Sequence, residues 1–287
     1  MPEKCVENPI LGLQKFHLMS EEQAYILGTD QEELYRLGLQ HQVWAEEAQV
    51  GWRLAGFGAG QTLLDLGCGP GYCTEELAFI AGNGGKVIGI DKSEKFIHHL
   101  HQLINLRGLN IEAIHADFDQ MSLQDNSLDG MYCRWALAWL PNPVEILQKV
   151  YQALKPGGRM VIHEYYDWST LQTEPDMPAL MTGIRAALKS FKDSEGEIDI
   201  GRELPARLSQ MGMKIINTRP MSKIATPGNV TWQWPKSFFY SYFPRLVPMN
   251  FLSETEVEAA LSEMETLENT VGASICTPLM FEVIAEK

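Results

Sequence analysis

Asp65 stands two residues before the first of three glycines at alternate positions, Gly67, Gly69 and Gly71. Glycine adopts positive φ and has no Cβ, so a bulky or flat ligand can approach the main chain of such a loop closely. The carboxylate of Asp65 is able to bind a cation or an ammonium group, and it would repel a phosphate. This segment therefore predicts a site for a ligand that is flat or positively charged.

The spacing of these glycines differs from that of a dinucleotide-binding loop. That pattern is G-x-G-x-x-G, which would place the third glycine at position 72. This sequence has Tyr72 there, and its glycine comes one residue earlier at Gly71. A diphosphate site, and with it nicotinamide-dependent oxidoreduction, is therefore disfavoured.

Acidic residues also follow the next two apolar segments. Asp91 comes far enough after Gly71 to accommodate a helix and a return loop, and its carboxylate can accept hydrogen bonds from both hydroxyls of a ribose. Asp117 is followed by Phe118, and an acid beside an aromatic ring suits an adenine, because the carboxylate accepts the exocyclic amine while the ring packs on its face. These residues predict a nucleoside site.

Later segments supply aromatic and titratable candidates. Arg134 and Trp135 follow a fourth apolar segment, and the ring of Trp135 can stabilise a cation by cation–π attraction. His163 is the candidate general base because its unperturbed pKa lies near neutrality, with Glu164, Tyr165 or Tyr166 to orient it. The alternative is that His163 only forms a hydrogen bond with a neighbouring residue.

Each of these candidates lies at the end of a predicted strand or just after it, and helical segments separate the strands. The predicted strands span residues 61–66, 86–90, 111–115, 128–133, 159–163, 213–219 and 275–285. Alternation of strands and helices is typical of a parallel α/β sheet, whose carboxyl ends meet at one edge. The candidate residues are therefore expected to lie close together.

Four features at consistent spacing resemble the class I S-adenosylmethionine-dependent methyltransferases. They are the Asp65-to-Gly71 segment, Asp91, the Asp117-Phe118 pair and the turn from Lys155 to Gly158. The resemblance is to the small-molecule type found in quinone and secondary-metabolite biosynthesis, and it covers mainly residues 60–165. It implies an α/β fold with a Rossmann-like, seven-stranded, mostly parallel sheet in the order 3-2-1-4-5-7-6, with an N-terminal helical lid and helical insertions.

The resemblance also implies S-adenosyl-L-methionine as the cofactor and in-line methyl transfer to O, N or C of a small-molecule acceptor. Tyr25 and Gln40 join the predicted site because the N-terminal segment resembles the lid of small-molecule methyltransferases. His163 and Glu164 are the predicted catalytic residues. The predicted cofactor-binding residues are Tyr25, Gln40, Asp65, Gly67, Cys68, Gly69, Gly71, Asp91, Lys92, Asp117, Phe118, Cys133, Arg134 and Trp135.

Six segments are expected along the chain. They are an N-terminal helical lid at 1–58, a cofactor-binding core at 59–165, an acceptor-side insertion at 166–200, a core continuation at 201–219, an aromatic-rich helical insertion at 220–272 and a final core strand at 273–287. Residues 220–250 are the most aromatic part of the chain, which favours an apolar or planar acceptor. Alternatively, these rings form a dimer surface or an ordinary helical cap.

Composition excludes several classes of partner. The formal net charge of −14 argues against a duplex nucleic-acid substrate, which requires a basic surface. No segment reaches the roughly 18 apolar residues of a membrane span, and the N-terminus lacks a signal-peptide pattern, so we expect a cytoplasmic protein without membrane partners. The five cysteines form no C-x-x-C pair, which predicts no metal site and no disulfide framework.

Two questions stay open at the level of sequence. One is whether the cofactor donates its methyl group, or whether it only assists a non-methylating cyclisation or rearrangement. The other is the oligomeric state, a dimer included. Neither question has a signature in the motifs described above.

Overall fold

A computed structural model describes residues 31–194 and 196–287 of the chain. The strands are β1 Thr62–Leu66, β2 Lys86–Asp91, β3 Ile111–His115, β4 Leu128–Arg134, β5 Leu154–Asp167, β6 Gln172–Glu174, β7 Lys214–Met221, β8 Ile224–Ala225, β9 Ser274–Cys276 and β10 Leu279–Glu286. The helices are α1 Gln31–Leu54, α2 Tyr72–Ala81, α3 Glu94–Arg107, α4 Pro143–Ala153, α5 Pro178–Lys192, α6 Leu204–Gln210, α7 Val230–Leu246 and α8 Glu254–Glu268. Within these ranges no helix combines the length and the apolar composition that crossing a bilayer requires.

The main sheet has seven strands in the order β3-β2-β1-β4-β5-β10-β7. The pairs from β3 to β5 are parallel, and β10 runs antiparallel to both β5 and β7. Since β10 is the last strand of the chain and β7 precedes it in this sheet, the observed order confirms the predicted one. Leu66 at the end of β1 lies beside Ile90 of β2 and Cys133 of β4, so the segments that follow these strands emerge at one edge.

The sequence predicts a single strand over residues 275–285, and this prediction is wrong. The chain breaks at Thr277 and Pro278, and only β10 joins the main sheet. The preceding β9 pairs instead with β6 and β8 in a small antiparallel sheet. Pro278 has no N–H to donate to a ladder, and Thr277 bonds Lys223 through both its main chain and its hydroxyl, which turns the chain from one sheet to the other.

The aromatic insertion packs within this chain. Helix α7 lies against α1, α5 and α8, and four of its large rings are buried in the main hydrophobic core. They are Trp232, Phe239, Tyr242 and Phe243. These rings form a helical cap, and Phe239 also lines a cavity described below together with other rings of the same helix.

Helix α1 is anchored to the sheet by partly buried ionic contacts. Glu282 of β10 is fully buried, and its carboxylate lies 2.8 Å from His163 Nε2 and 3.0 Å from Arg219 Nη2. Arg219 also bonds the carboxylate of Glu47 on α1. Burial raises the pKa of Glu282, but the hydrogen bonds from His163 and Arg219 outweigh it and leave that pKa below its usual value. The charge of Glu282 therefore helps to hold α1 over the sheet.

We expect Glu282→Ala to lower the free energy of unfolding by about 3 kcal/mol, because it leaves buried partners unpaired. Urea denaturation at pH 7 measures this change. The control is Glu112→Ala, which removes the exposed contact between Glu112 and Lys86 and should cost less than about 1 kcal/mol. Equal losses in the two variants would contradict the role of Glu282 as an anchor.

Candidate functional site

The glycine loop connects β1 to α2, and its three glycines have φ of +75° at Gly67, +53° at Gly69 and +96° at Gly71. The N–H of Gly67 donates to the carbonyl of Ile90, which ties the loop to the end of β2. A Cβ on Gly71 would lie 2.5 Å from Leu100, whereas a Cβ on Gly69 would meet nothing within 4 Å. Gly71 thus allows packing against α3, and Gly69 leaves open space beside the loop.

A cleft lies at the edge of the sheet where β1, β2 and β4 end, as expected for a parallel sheet. Most of the predicted cofactor-binding residues line it. They are Gln40, Asp65, Gly67, Cys68, Gly69, Asp91, Lys92, Phe118, Arg134 and Trp135.

Half of the residues that line this cleft are outside the predicted cofactor-binding set. Several of them had a signal: Pro70, Tyr72 and Cys73 lie in or next to the glycine loop, and Arg36 and Leu37 precede Gln40 by one helical turn. The others lie in β4, in β5 or in the segment after β4, where no glycine or acidic motif marks them. They are Tyr132, Ala136, Trp139, Leu140 and Tyr165.

Two buried carboxylates form the base of the cleft. Asp65 accepts a hydrogen bond from the Thr74 hydroxyl at 2.6 Å, and burial raises its pKa to about 6 against the opposing effects of Thr74 and Arg134. Asp91 accepts hydrogen bonds from the N–H groups of Gly69 at 2.9 Å and Ser93 at 2.8 Å, and burial raises its pKa as well. The carboxylate of Asp91 therefore also fixes the position of the glycine loop.

Arg134 brings a positive charge to the same cleft. Its Nη2 lies 3.4 Å from His41 Nδ1, and its guanidinium carbon lies 5.1 Å from the centroid of the Trp135 ring. Its Nη1 is buried and has no hydrogen-bond partner among the described residues. Because a buried donor without a partner is costly, this atom marks a position for an anionic or hydrogen-bond-accepting group of a ligand.

Trp135 has φ of +55°, which is uncommon for a bulky residue and is found where the surroundings hold the backbone in place. Its ring stacks on Trp234 of α7, at 5.7 Å between centroids, and on Tyr165 of β5, at 5.8 Å. Its Nε1 donates to the sulfur of Met280. This stack of rings connects the cleft with helix α7.

Three predicted cofactor-binding residues do not line the cleft. Gly71 packs against α3, Asp117 is exposed after the edge strand β3, and Cys133 is fully buried in the core. Tyr25 lies outside the described residues. The position of Asp117 has a simple cause: β3 is at the rim of the sheet, so the segment after it borders solvent.

His163 and Glu164 do not line the cleft either. His163 is buried inside the sheet, with Nε2 bonded to Glu282, and burial lowers its pKa. The predicted strand ended at His163, whereas β5 continues to Asp167, so this residue is not at the strand tip. These positions do not support the catalytic roles predicted for His163 and Glu164.

Glu164 instead holds the segment that follows β4. Its Oε1 accepts the N–H of Leu137 at 2.8 Å, and its side chain is fully buried. Burial raises the pKa of this carboxyl group to about 8, although main-chain N–H groups of the segment oppose that rise. Glu164 therefore positions the loop that carries Trp135.

A second cavity adjoins the first. The two share four residues, namely Arg36, Gln40, Trp139 and Tyr165. The remaining lining is mostly aromatic and comes from β5, α5, α7 and the segments around them: Trp168, Leu171, Phe191, Trp234, Pro235, Phe238, Phe239 and Pro278. We call this space the aromatic chamber.

Residues 64–162 match the protein family described as "Methyltransferase domain". The matched segment is about a third of the chain. It contains the glycine loop, both buried carboxylates and Arg134, so the resemblance to class I S-adenosylmethionine-dependent methyltransferases and the choice of cofactor are confirmed. In the described residues, no group of three or more His, Cys, Asp or Glu side chains is placed to bind a metal ion.

Known relatives extend the similarity beyond this domain. The sterol 24-C-methyltransferase of Pneumocystis carinii is 27% identical over 179 residues, which cover 60% of this chain and 45% of that protein. The demethylmenaquinone methyltransferase of Bacillus licheniformis is 26% identical over 213 residues, which cover 68% of this chain and 87% of that protein. For several curated relatives, the chain spans less than half of their length.

Among solved structures, the cyclase SpnF is similar with a TM-score of 0.55 and 17% sequence identity, covering 84% of this chain and 80% of that one. At this identity the likeness concerns the fold alone. It shows that the methyltransferase domain and the elements around it follow a known arrangement.

We expect the wild-type protein to lose stability as pH rises, and we expect Glu164→Gln to abolish this pH dependence. Because the pKa of Glu164 is raised to about 8 from 4.5, the folded protein binds more protons than the unfolded chain between these values, and stability falls as pH increases from about 5 to 8. Thermal unfolding at pH 5, 6, 7 and 8 measures the effect. Glu112→Gln, the same change at an exposed site, is the control and should follow the wild type. Parallel curves for the wild type and Glu164→Gln would refute this expectation.

Proposed function

We propose that this protein is an S-adenosylmethionine-dependent methyltransferase that methylates a small, apolar or planar metabolite at O, N or C. The observation that carries the proposal is the set of charges around the glycine loop. Two buried carboxylates, Asp65 and Asp91, share a cleft with the unpaired Nη1 of Arg134. This combination suits a ligand with positive groups, a ribose and a carboxylate.

The residues of the cleft fit the parts of the cofactor one by one. Arg134 Nη1 is a buried donor suited to the carboxylate of the methionine portion. Asp65 suits its ammonium and sulfonium charges, and Asp91 suits the ribose hydroxyls. Phe118 lines the cleft with an apolar ring that suits the adenine face. A dinucleotide fits less well, because the two carboxylates would repel its diphosphate.

When bound, the cofactor would supply an electrophilic methyl group that passes in line to a nucleophilic atom of the acceptor, with S-adenosylhomocysteine as the leaving group. Asp65 and Arg134 would hold the amino-acid portion, while Trp135, Trp139 and Tyr165 border the cleft with rings that exclude water. Orientation of this kind can supply about 7–11 kcal/mol of the barrier reduction. Burial raises the pKa of Tyr165, so its hydroxyl stays protonated at neutral pH and can orient an acceptor through a hydrogen bond.

The reaction itself gives the direct test. Incubation with S-adenosylmethionine and a panel of phenolic, quinone-like and amine acceptors should yield S-adenosylhomocysteine and an acceptor heavier by one methyl group, in equal amounts by mass spectrometry. Conversion of an acceptor without S-adenosylhomocysteine would contradict the proposal and would favour the non-methylating cyclisation or rearrangement that the sequence left open.

We expect Asp91→Asn to weaken binding of S-adenosylhomocysteine about 100-fold or more, since two hydrogen bonds to a charged acceptor contribute about 3–6 kcal/mol together. Isothermal titration calorimetry measures the dissociation constant, and circular dichroism checks the fold. Asp117→Asn makes the same change at an exposed residue outside the cleft, and it should stay within about twofold of the wild type. A similar loss in both variants would contradict this assignment of the ribose ligand.

We also expect the affinity for S-adenosylmethionine to fall as pH decreases through about 6. The pKa of Asp65 is about 6 in the free protein, and a cationic ligand favours the carboxylate, so protonation of Asp65 at lower pH competes with binding. Calorimetry between pH 5 and 7.5 should show a rising dissociation constant for the wild type. Asp65→Asn should bind weakly at all these pH values, and a steep pH dependence retained in this variant would refute the role of Asp65.

A further inference from the structure

The aromatic chamber has the composition of a binding site for a flat ring. Trp168, Phe191, Trp234 and Phe238 contribute ring surfaces, and Tyr165 belongs both to this chamber and to the cofactor cleft. Aromatic side chains favour flat partners through stacked and edge-to-face contacts. A ring in the chamber would therefore lie directly beside the cleft.

The described lining of the chamber presents no uncompensated charge. Arg36 is the one charged residue among the described residues that line it, and Glu33 neutralises it through two contacts, Nε to Oε2 at 2.7 Å and Nη2 to Oε1 at 2.6 Å. Both side chains are buried. Moving an ionised ligand group into such surroundings costs desolvation free energy, and no partner charge compensates for this cost. The chamber therefore favours an uncharged ligand.

The described lining also carries hydrogen-bond donors, among them the amide of Gln40 and the indole N–H of Trp168. The Oε1 atom of Gln40 accepts hydrogen bonds from Arg36 Nη1 at 3.1 Å and from Trp234 Nε1 at 3.0 Å, which orients the amide and leaves its NH₂ group as a donor. Trp168 is 3% exposed, and its Nε1 lies near the Tyr165 hydroxyl without a hydrogen bond of normal length to any described residue. Donors in an apolar setting are best satisfied by an oxygen acceptor.

We propose that the aromatic chamber binds the methyl acceptor, and that this acceptor is an uncharged planar ring with a hydroxyl or carbonyl oxygen that Gln40 and Trp168 recognise. The identification of this ligand as the acceptor rests on the proposed function. The binding preference itself is a property of the chamber and is measured without turnover.

Three bicyclic probes of similar shape separate the contributions of the ring, the oxygen and the charge to binding. Equilibrium dialysis in the presence of S-adenosylhomocysteine would compare 2-naphthol, naphthalene and 2-naphthoate. We expect 2-naphthol to bind about tenfold more tightly than naphthalene, because only the naphthol oxygen satisfies the donors. It should also bind more tightly than 2-naphthoate, whose charge lacks a partner. Equal affinities, or tightest binding of the naphthoate, would overturn the proposal.

Two shape-preserving variants test the donors. Gln40→Glu keeps an oxygen for Arg36 and Trp234 but loses the NH₂ group, and Trp168→Phe keeps a ring but loses the N–H. Each should weaken 2-naphthol binding about fivefold while naphthalene changes less than about twofold. The control is Trp232→Phe, because Trp232 Nε1 donates to Glu268 and does not line the chamber. If Trp232→Phe weakened 2-naphthol binding as much as Trp168→Phe does, the assignment of Trp168 as a donor to the ligand would be overturned.

Titration of the same preparations with S-adenosylhomocysteine tests the proposed function separately from the inference about the aromatic chamber. Normal S-adenosylhomocysteine binding with no preference for 2-naphthol would overturn the inference about the chamber and leave the proposed function standing. Preference for 2-naphthol without any S-adenosylhomocysteine binding would overturn the proposed function and support the binding specificity of the chamber.

Discussion

The burial of two carboxylates, Asp65 and Asp91, beside the guanidinium of Arg134 governs the cleft. Burial is the largest cause that raises the pKa of Asp65 and the charge of Asp91 adds a smaller rise, whereas Thr74 and Arg134 lower this pKa. Parallel strands place these side chains together, because the ends of β1, β2 and β4 meet at one edge of the sheet. A ligand with positive groups stabilises the buried carboxylates, and one with a carboxylate satisfies the remaining donor of Arg134. The ligand-free protein is thus already complementary to the cofactor we propose.

The aromatic stack gives the site its second half. Trp135 lies between Trp234 and Tyr165, and Trp44 of α1 contacts both tryptophans edge-on. Elements far apart in the chain therefore meet at one cluster, with the strained backbone of Trp135 held by the rings and by Glu164 beneath its loop. Since cleft and chamber share four lining residues, groups bound in the two spaces would be neighbours.

The parts of the site that sequence predicted are those with a local cause. Positive φ at Gly67 and Gly69 and the carboxylates at the ends of β1 and β2 depend on a few consecutive residues. The predicted site residues that lie away from the cleft depend on how far strands extend and where they lie in the sheet. His163 lies inside β5 because that strand continues to Asp167, and Asp117 is exposed because β3 is an edge strand.

By itself, the sequence determined the α/β alternation, the glycine loop and the identity of its neighbouring acids, because periodicity and backbone preference act over short stretches. The resemblance to a family then supplied the strand order. Only the tertiary structure decided the aromatic chamber, the neutral Arg36–Glu33 pair, and the break of the last strand at Thr277 and Pro278. Their cause lies in burial and pairing between segments far apart in the chain, and such contacts leave no periodic pattern in any one of them.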